Sequence, residues 1–135
     1  MENNKDLEEI KYPDLSKASS REAAEAMVRI LDMRKARDIK LLRVEDQTII
    51  AEYFVICSGT SSTHIKGLAG ELEYKMSMSS LPPVHMDGYS EGKWIVIDFG
   101  SVMAHIFSGE SRDFYKLEKF WSESEEIDIS SLLTE

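Results

Sequence analysis

Trp94–Phe99 and Val102–Phe107 are near-continuous apolar runs of strand length, rich in β-branched and aromatic residues, joined through Gly100. Such runs predict strands, and the glycine between them predicts a tight hairpin turn. With a two-residue turn, Trp94, Val96, Asp98, Met103, His105 and Phe107 share one side of the hairpin, while Ile95, Ile97, Phe99, Val102, Ala104 and Ile106 share the other. The second side is wholly apolar and predicts core. The first sets an aromatic ring, an acid and an imidazole among apolar neighbours, the mixture expected of a recognition surface.

Upstream, Ser19-Ser20-Arg21-Glu22 has the form of a capping box, and Ala23, Met27, Ile30 and Leu31 recur at helical spacing, which predicts a helix to about Lys35. Ile39–Val44 and Tyr53–Cys57 predict two strands joined as a hairpin across the polar stretch Glu45–Thr48. Ile65, Leu68, Leu72 and Met76 form one stripe of a second helix, on which Gly67 and Gly70 predict a close approach to another backbone. Beyond Leu81-Pro82-Pro83, Val84–Gly92 predicts a short edge strand and loop. After the hairpin, Phe114, Leu117 and Trp121 lie on one stripe of a last helix, with Arg112, Tyr115 and Glu118 along a neighbouring face. This order predicts a single α/β domain, a mixed β-sheet of about five strands with helices packed on it.

Residues 1–18 are charged and lack a sustained period, so they are expected as a flexible leader; the domain spans 19–121, and 122–135, which carries five carboxylate side chains and no Lys or Arg, is expected as a solvated acidic tail. The net charge of −9 repels phosphate backbones. Little direct nucleic-acid binding is therefore expected, and a basic protein is the better partner. The single cysteine, Cys57, excludes an internal disulfide and a Cys-cluster metal site and fits a reducing compartment. No apolar run is long enough to span a bilayer, and the acidic first residues resemble neither a secretory signal nor a transit peptide, so a cytoplasmic protein is expected.

Candidate chemistry is sparse. Gly59, Thr60, Ser61 and Ser62 lie between an apolar strand and a helix start, where backbone N–H groups and hydroxyls can hold an anion or cap the helix; without the Lys of a P-loop, capping is favoured. Gly59-Thr60 followed by Glu71 and Glu73 superficially matches a nucleotidyltransferase signature, but two carboxylates two apart share a face only on a strand, and these fall on a helix. Asp98 and His105 are expected as a structural hydrogen-bonded pair across the hairpin. Cys57 is the one candidate nucleophile, with His64 as a potential partner, although its apolar neighbours predict a buried thiol. The three histidines have no metal-ligand spacing, and neither a metal nor a cofactor is expected.

Several of these stretches together carry a family resemblance. Ala51-Glu52-Tyr53-Phe54-Val55-Ile56 running into Ser58-Gly59-Thr60-Ser61-Ser62-Thr63-His64, then Trp94-Ile95-Val96-Ile97-Asp98-Phe99-Gly100, His105-Ile106-Phe107 and Arg112–Trp121, in that order, resemble the ribosomal silencing factors, the RsfS or Iojap family. Glu52, Asp87, Ser101 and Phe120 stand where Asp, Glu, Asp and Leu are usual. The resemblance implies a nucleotidyltransferase-like fold without the catalytic acids, often homodimeric, and no enzyme activity. It also implies binding to ribosomal protein L fourteen on the large subunit, with steric block of small-subunit joining and repression of translation. The partner-binding positions it implies are Trp94, Asp98, His105, Tyr115 and Glu118.

Overall fold

The computed structural model describes residues 12–115, 117 and 121–134, leaving aside the side chains at 113–115. The elements run α1 (Ser20–Met33), β1 (Arg37–Arg43), β2 (Tyr53–Gly59), α2 (Ser62–Met78), β3 (His85–Asp87), β4 (Trp94–Asp98), β5 (Val102–Ser108), α3 (Gly109–Tyr115) and β6 (Glu125–Ile127). The strands form one mixed sheet in the order β3-β4-β5-β2-β1-β6, in which β2 and β5 are parallel and every other neighbouring pair is antiparallel.

The capping box at the start of α1 is formed: the Glu22 N–H donates to Ser19 Oγ at 3.1 Å, and the Ser19 N–H donates to Glu22 Oε1 at 2.9 Å. Two N-terminal donors are thereby satisfied, and the helix lays Ala23, Ala24, Met27, Val28 and Leu31 on the sheet. Ile65, Leu68, Ala69, Leu72 and Met76 of α2 cover the same sheet face. Beneath them lie Val55 and Cys57 of β2, Ile95 and Ile97 of β4, and Ala104 and Ile106 of β5. This is the wholly apolar side expected of the hairpin. Its register is the one a two-residue turn dictates: Trp94 faces Phe107, Val96 faces His105 and Asp98 faces Met103, with Gly100 at φ 95° in the turn. Gly67 and Gly70 do not mark the close approach expected of them, since a Cβ at either position would meet nothing within 4 Å among the described residues.

Both ends of the chain depart from expectation. Of the leader, residues 1–11 lie outside the described residues, but Leu15 packs on the core and its N–H donates to the Ser79 carbonyl at 2.8 Å. The tail is folded rather than solvated: β6 pairs with β1 through Leu41–Ile127 and Arg43–Glu125, and Ile127 and Ile129 are buried. The sheet therefore has six described strands. Glu126 and Asp128 are exposed and alternate with the buried Ile127 and Ile129. The guanidinium of Arg43 gathers Glu45, Asp46 and Glu125 around it, so part of the tail's negative charge is met within the domain.

Candidate functional site

The face of the sheet opposite α1 and α2 is only partly covered. Leu42, Val44, Ala51, Phe54, Ile56 and Phe107 form a second apolar cluster, onto which Leu117 and Trp121 fold from beyond α3. Their arrival agrees with the helical stripe expected for Leu117 and Trp121; the side chain of Phe114 lies outside the described residues. Trp94, Val96, Asp98 and Met103 on β4 and β5 remain half-buried, forming an open half of that face in which an indole, two apolar side chains and a carboxylate stand together.

The aromatic order beneath this surface is specific. Trp94 stacks on Phe107 with ring centroids 4.9 Å apart, and its Nε1–H donates to Nδ1 of His105 at 3.3 Å. Phe54 packs on the His105 ring at 4.6 Å and meets Trp121 edge-on at 5.4 Å. His105 is only 5% exposed, and burial pushes its pKa down to about 4, so the ring is neutral at physiological pH. Because Nδ1 accepts from Trp94, the proton resides on Nε2, which is buried without a hydrogen-bond partner among the described residues.

Two expectations change here. His105 supports the surface from below instead of presenting itself to a partner. Nor does it pair with Asp98: His105 stands opposite Val96, whereas Asp98 stands opposite Met103 and accepts the Gly100 N–H at 2.8 Å. The carboxylate thus closes the hairpin turn, the usual local bond of Asp. Trp94 and Asp98 are at the surface as expected, the side chain of Tyr115 and the whole of Glu118 lie outside the described residues, and Arg112 is buried, donating to Ser58 Oγ at 2.9 Å. Val96 and Met103 join the surface without having been singled out, although the same alternation that placed Trp94 and Asp98 also placed them.

In the loop before α2, Ser61 Oγ accepts the His64 N–H at 3.0 Å and the Thr60 N–H donates to His64 Nδ1 at 2.9 Å, while His64 Nε2 donates to the Arg34 carbonyl at 2.9 Å. Gly59 closes β2 and Ser62 opens α2, so this stretch serves as a cap that also ties α2 to the end of α1. With both ring nitrogens of His64 engaged, no Cys57–His64 couple exists. Cys57 is fully buried and desolvation pushes its thiol up to about 12, so no thiolate is available. Glu71 and Glu73 lie on α2, and Glu71 pairs with Lys75 at 3.1 Å. Among the described residues no group of three or more His, Cys, Asp or Glu is arranged to hold a metal, and no helix is long and apolar enough to cross a membrane.

The family model described as "Ribosomal silencing factor during starvation" matches residues 17–135, the folded tail included. A ribosomal silencing factor RsfS of Halalkalibacterium halodurans is 28% identical over 116 residues, covering 86% of this chain and 99% of the relative. The mouse protein named mitochondrial assembly of ribosomal large subunit protein 1 is 36% identical over 99 residues, covering 71% of this chain and 43% of that longer protein. A crystal structure of a Chromobacterium violaceum protein superposes with a TM-score of 0.75 at 25% identity, covering 77% of this chain and 87% of that one. This α/β chain, with its half-open aromatic sheet face, belongs to the ribosomal silencing factor (RsfS) family.

Proposed function

We propose that this member of a family of ribosome-associated translation regulators acts by steric occlusion. The open half of its second sheet face docks on ribosomal protein L fourteen of the large subunit, and the bulk of the domain then blocks the approach of the small subunit. The observation that carries this reading is the surface of Trp94, Val96, Asp98 and Met103: half-buried apolar side chains around a carboxylate, on a chain of net charge −9. An indole held rigid by Phe107 and His105 loses little freedom on docking, and the carboxylate offers a basic partner a charge to meet. The mouse relative's name, with its ribosomal large subunit, favours that subunit as the target. The protein works in the cytoplasm, as a homodimer and without catalysis. The helical placement of Glu71 and Glu73 and the buried thiol of Cys57 support that last point.

The test combines Trp94→Ala with Asp98→Lys. Co-sedimentation with isolated large subunits should weaken by about tenfold or more, the scale of losing an aromatic anchor and reversing a charge at a contact. Inhibition of subunit joining should be lost in parallel, while thermal melting reports whether the fold survives. A folded double variant that binds and blocks as the parent does would place the contact elsewhere.

A further inference from the structure

A cavity of about 840 Å³ opens where the parallel strands β2 and β5 end, away from the surface just described. The chain leaves β2 into α2, which packs on the first sheet face, and leaves β5 into α3, whose Arg112 reaches Ser58 and whose continuation packs Leu117 and Trp121 on the second face. Two adjacent parallel strands whose connections depart to opposite faces leave a crevice at their carboxyl ends. In open α/β sheets that crevice is where ligands sit.

The lining gives the crevice a chemical preference. Arg37, Lys40 and Arg112 line it beside two carboxylates, Asp38 and Glu126, a concentration of basic groups in a chain of net charge −9. Among the described residues no ion pair joins Arg37 or Lys40 to a carboxylate. Arg37, Asp38 and Glu126 are exposed and free to move in water, Lys40 is half-buried, and Arg112 is buried with its guanidinium fixed on Ser58 Oγ at 2.9 Å. The register of β1 slips between Arg37 and Lys40, with Asp38 at φ 52°, a bulge of the sort that re-aims side chains beside functional sites. Small residues, Ser58, Gly59, Thr60 and Gly109, leave the crevice unfilled, and Gly59 is required as such because a Cβ there would lie 2.7 Å from Ile65 Cγ1.

From these observations we propose that the crevice binds a small phosphate-bearing anion, held by Arg37 and Lys40 with the fixed charge of Arg112 behind them. Guanidinium groups match phosphate oxygens bidentately and an ammonium adds a point charge; among the described residues no aromatic ring lines the crevice. The phosphate group is therefore what is recognised. The site does not depend on the docking reading and stands or falls separately from it.

The experiment titrates the isotopically labelled full chain with inorganic pyrophosphate at constant ionic strength, following backbone amides by NMR, with sodium chloride and a short RNA oligonucleotide as the other arms. Saturable shifts centred on Ser58, Thr60 and Gly109 are expected with pyrophosphate, weakened at least tenfold by Arg37→Glu with Lys40→Glu. The single variants Arg37→Ala and Lys40→Ala, each weakening binding severalfold, carry the test should the double variant not fold. No saturable shift, a shift centred elsewhere, or one that these variants leave intact would overturn the site. Shifts with RNA but not with pyrophosphate would also overturn it, in favour of a polynucleotide backbone as the ligand.

Discussion

At His105 burial and hydrogen bonding act in the same direction. Protonating Nδ1 would turn the acceptor of the Trp94 N–H into a second donor facing it, and the buried cation would have no carboxylate opposite it on the neighbouring strand, where Val96 stands. The folded-state pKa is about 4 against an ordinary 6.5, so the sign of the linkage follows. Above pH 6.5 both folded and unfolded states hold a neutral ring and the group contributes nothing. As the pH falls from 6.5 to 4 the unfolded chain takes up a proton that the folded one refuses, and stability declines by up to ~3 kcal/mol. Carboxylates titrate over part of the same window, so the clean measurement is the difference between the parent and His105→Phe in chemical denaturation from pH 7.5 to 4.5. The variant should lack that component of the decline; an identical pH dependence would mean the ring is not held neutral by its surroundings. Alternation placed His105 on the correct side of the hairpin but carries no depth. Whether a residue on that side meets solvent or lies under Trp94, Phe54 and Phe107 depends on neighbours far away in the chain.

Legibility among the elements followed how local their causes are. The capping box of α1 rests on contacts three residues apart, and the β4–β5 register rests on a two-residue turn, so both could be read from adjacent residues. The pairing of β6 with β1 joins positions more than eighty residues apart, and its only local trace is the alternation in Glu126-Ile127-Asp128-Ile129 within an acidic stretch. High charge in a short segment reads as tail because charge usually prevents burial; here Arg43 meets one of the acids, Glu125, and only the isoleucines are buried. A chain ending at Ser124 should therefore be markedly less stable than the full chain. Burial of Ile127 and Ile129 contributes ~1.5–3 kcal/mol each, and their loss also strips β1 of its outer partner and leaves β1 as an open sheet edge. The denaturant midpoint should fall substantially and the truncated chain should self-associate. Unchanged unfolding would return this segment to the status of a solvated tail.

For the whole molecule, charge decides how the protein finds its partner, and two fields compete on a ribosomal subunit. RNA phosphates repel a chain of net charge −9, while a basic ribosomal protein would attract the carboxylate of the proposed docking surface. At 0.1 M salt either field extends only about 10 Å, so the protein must come close before the local patch outweighs the distant background. If Asp98 meets a basic partner, raising the salt removes the attraction that steers the final approach. The association rate with large subunits should then fall with ionic strength, while the dissociation rate, governed by buried aromatic and apolar contacts around Trp94, should change less. Asp98→Asn should start from a slower association rate and show a shallower salt dependence than the parent. The informative opposite is an association rate that rises with salt. That would mean repulsion from RNA dominates the encounter and that no basic surface receives this face, removing the electrostatic support for docking on a ribosomal protein even if the two still bind.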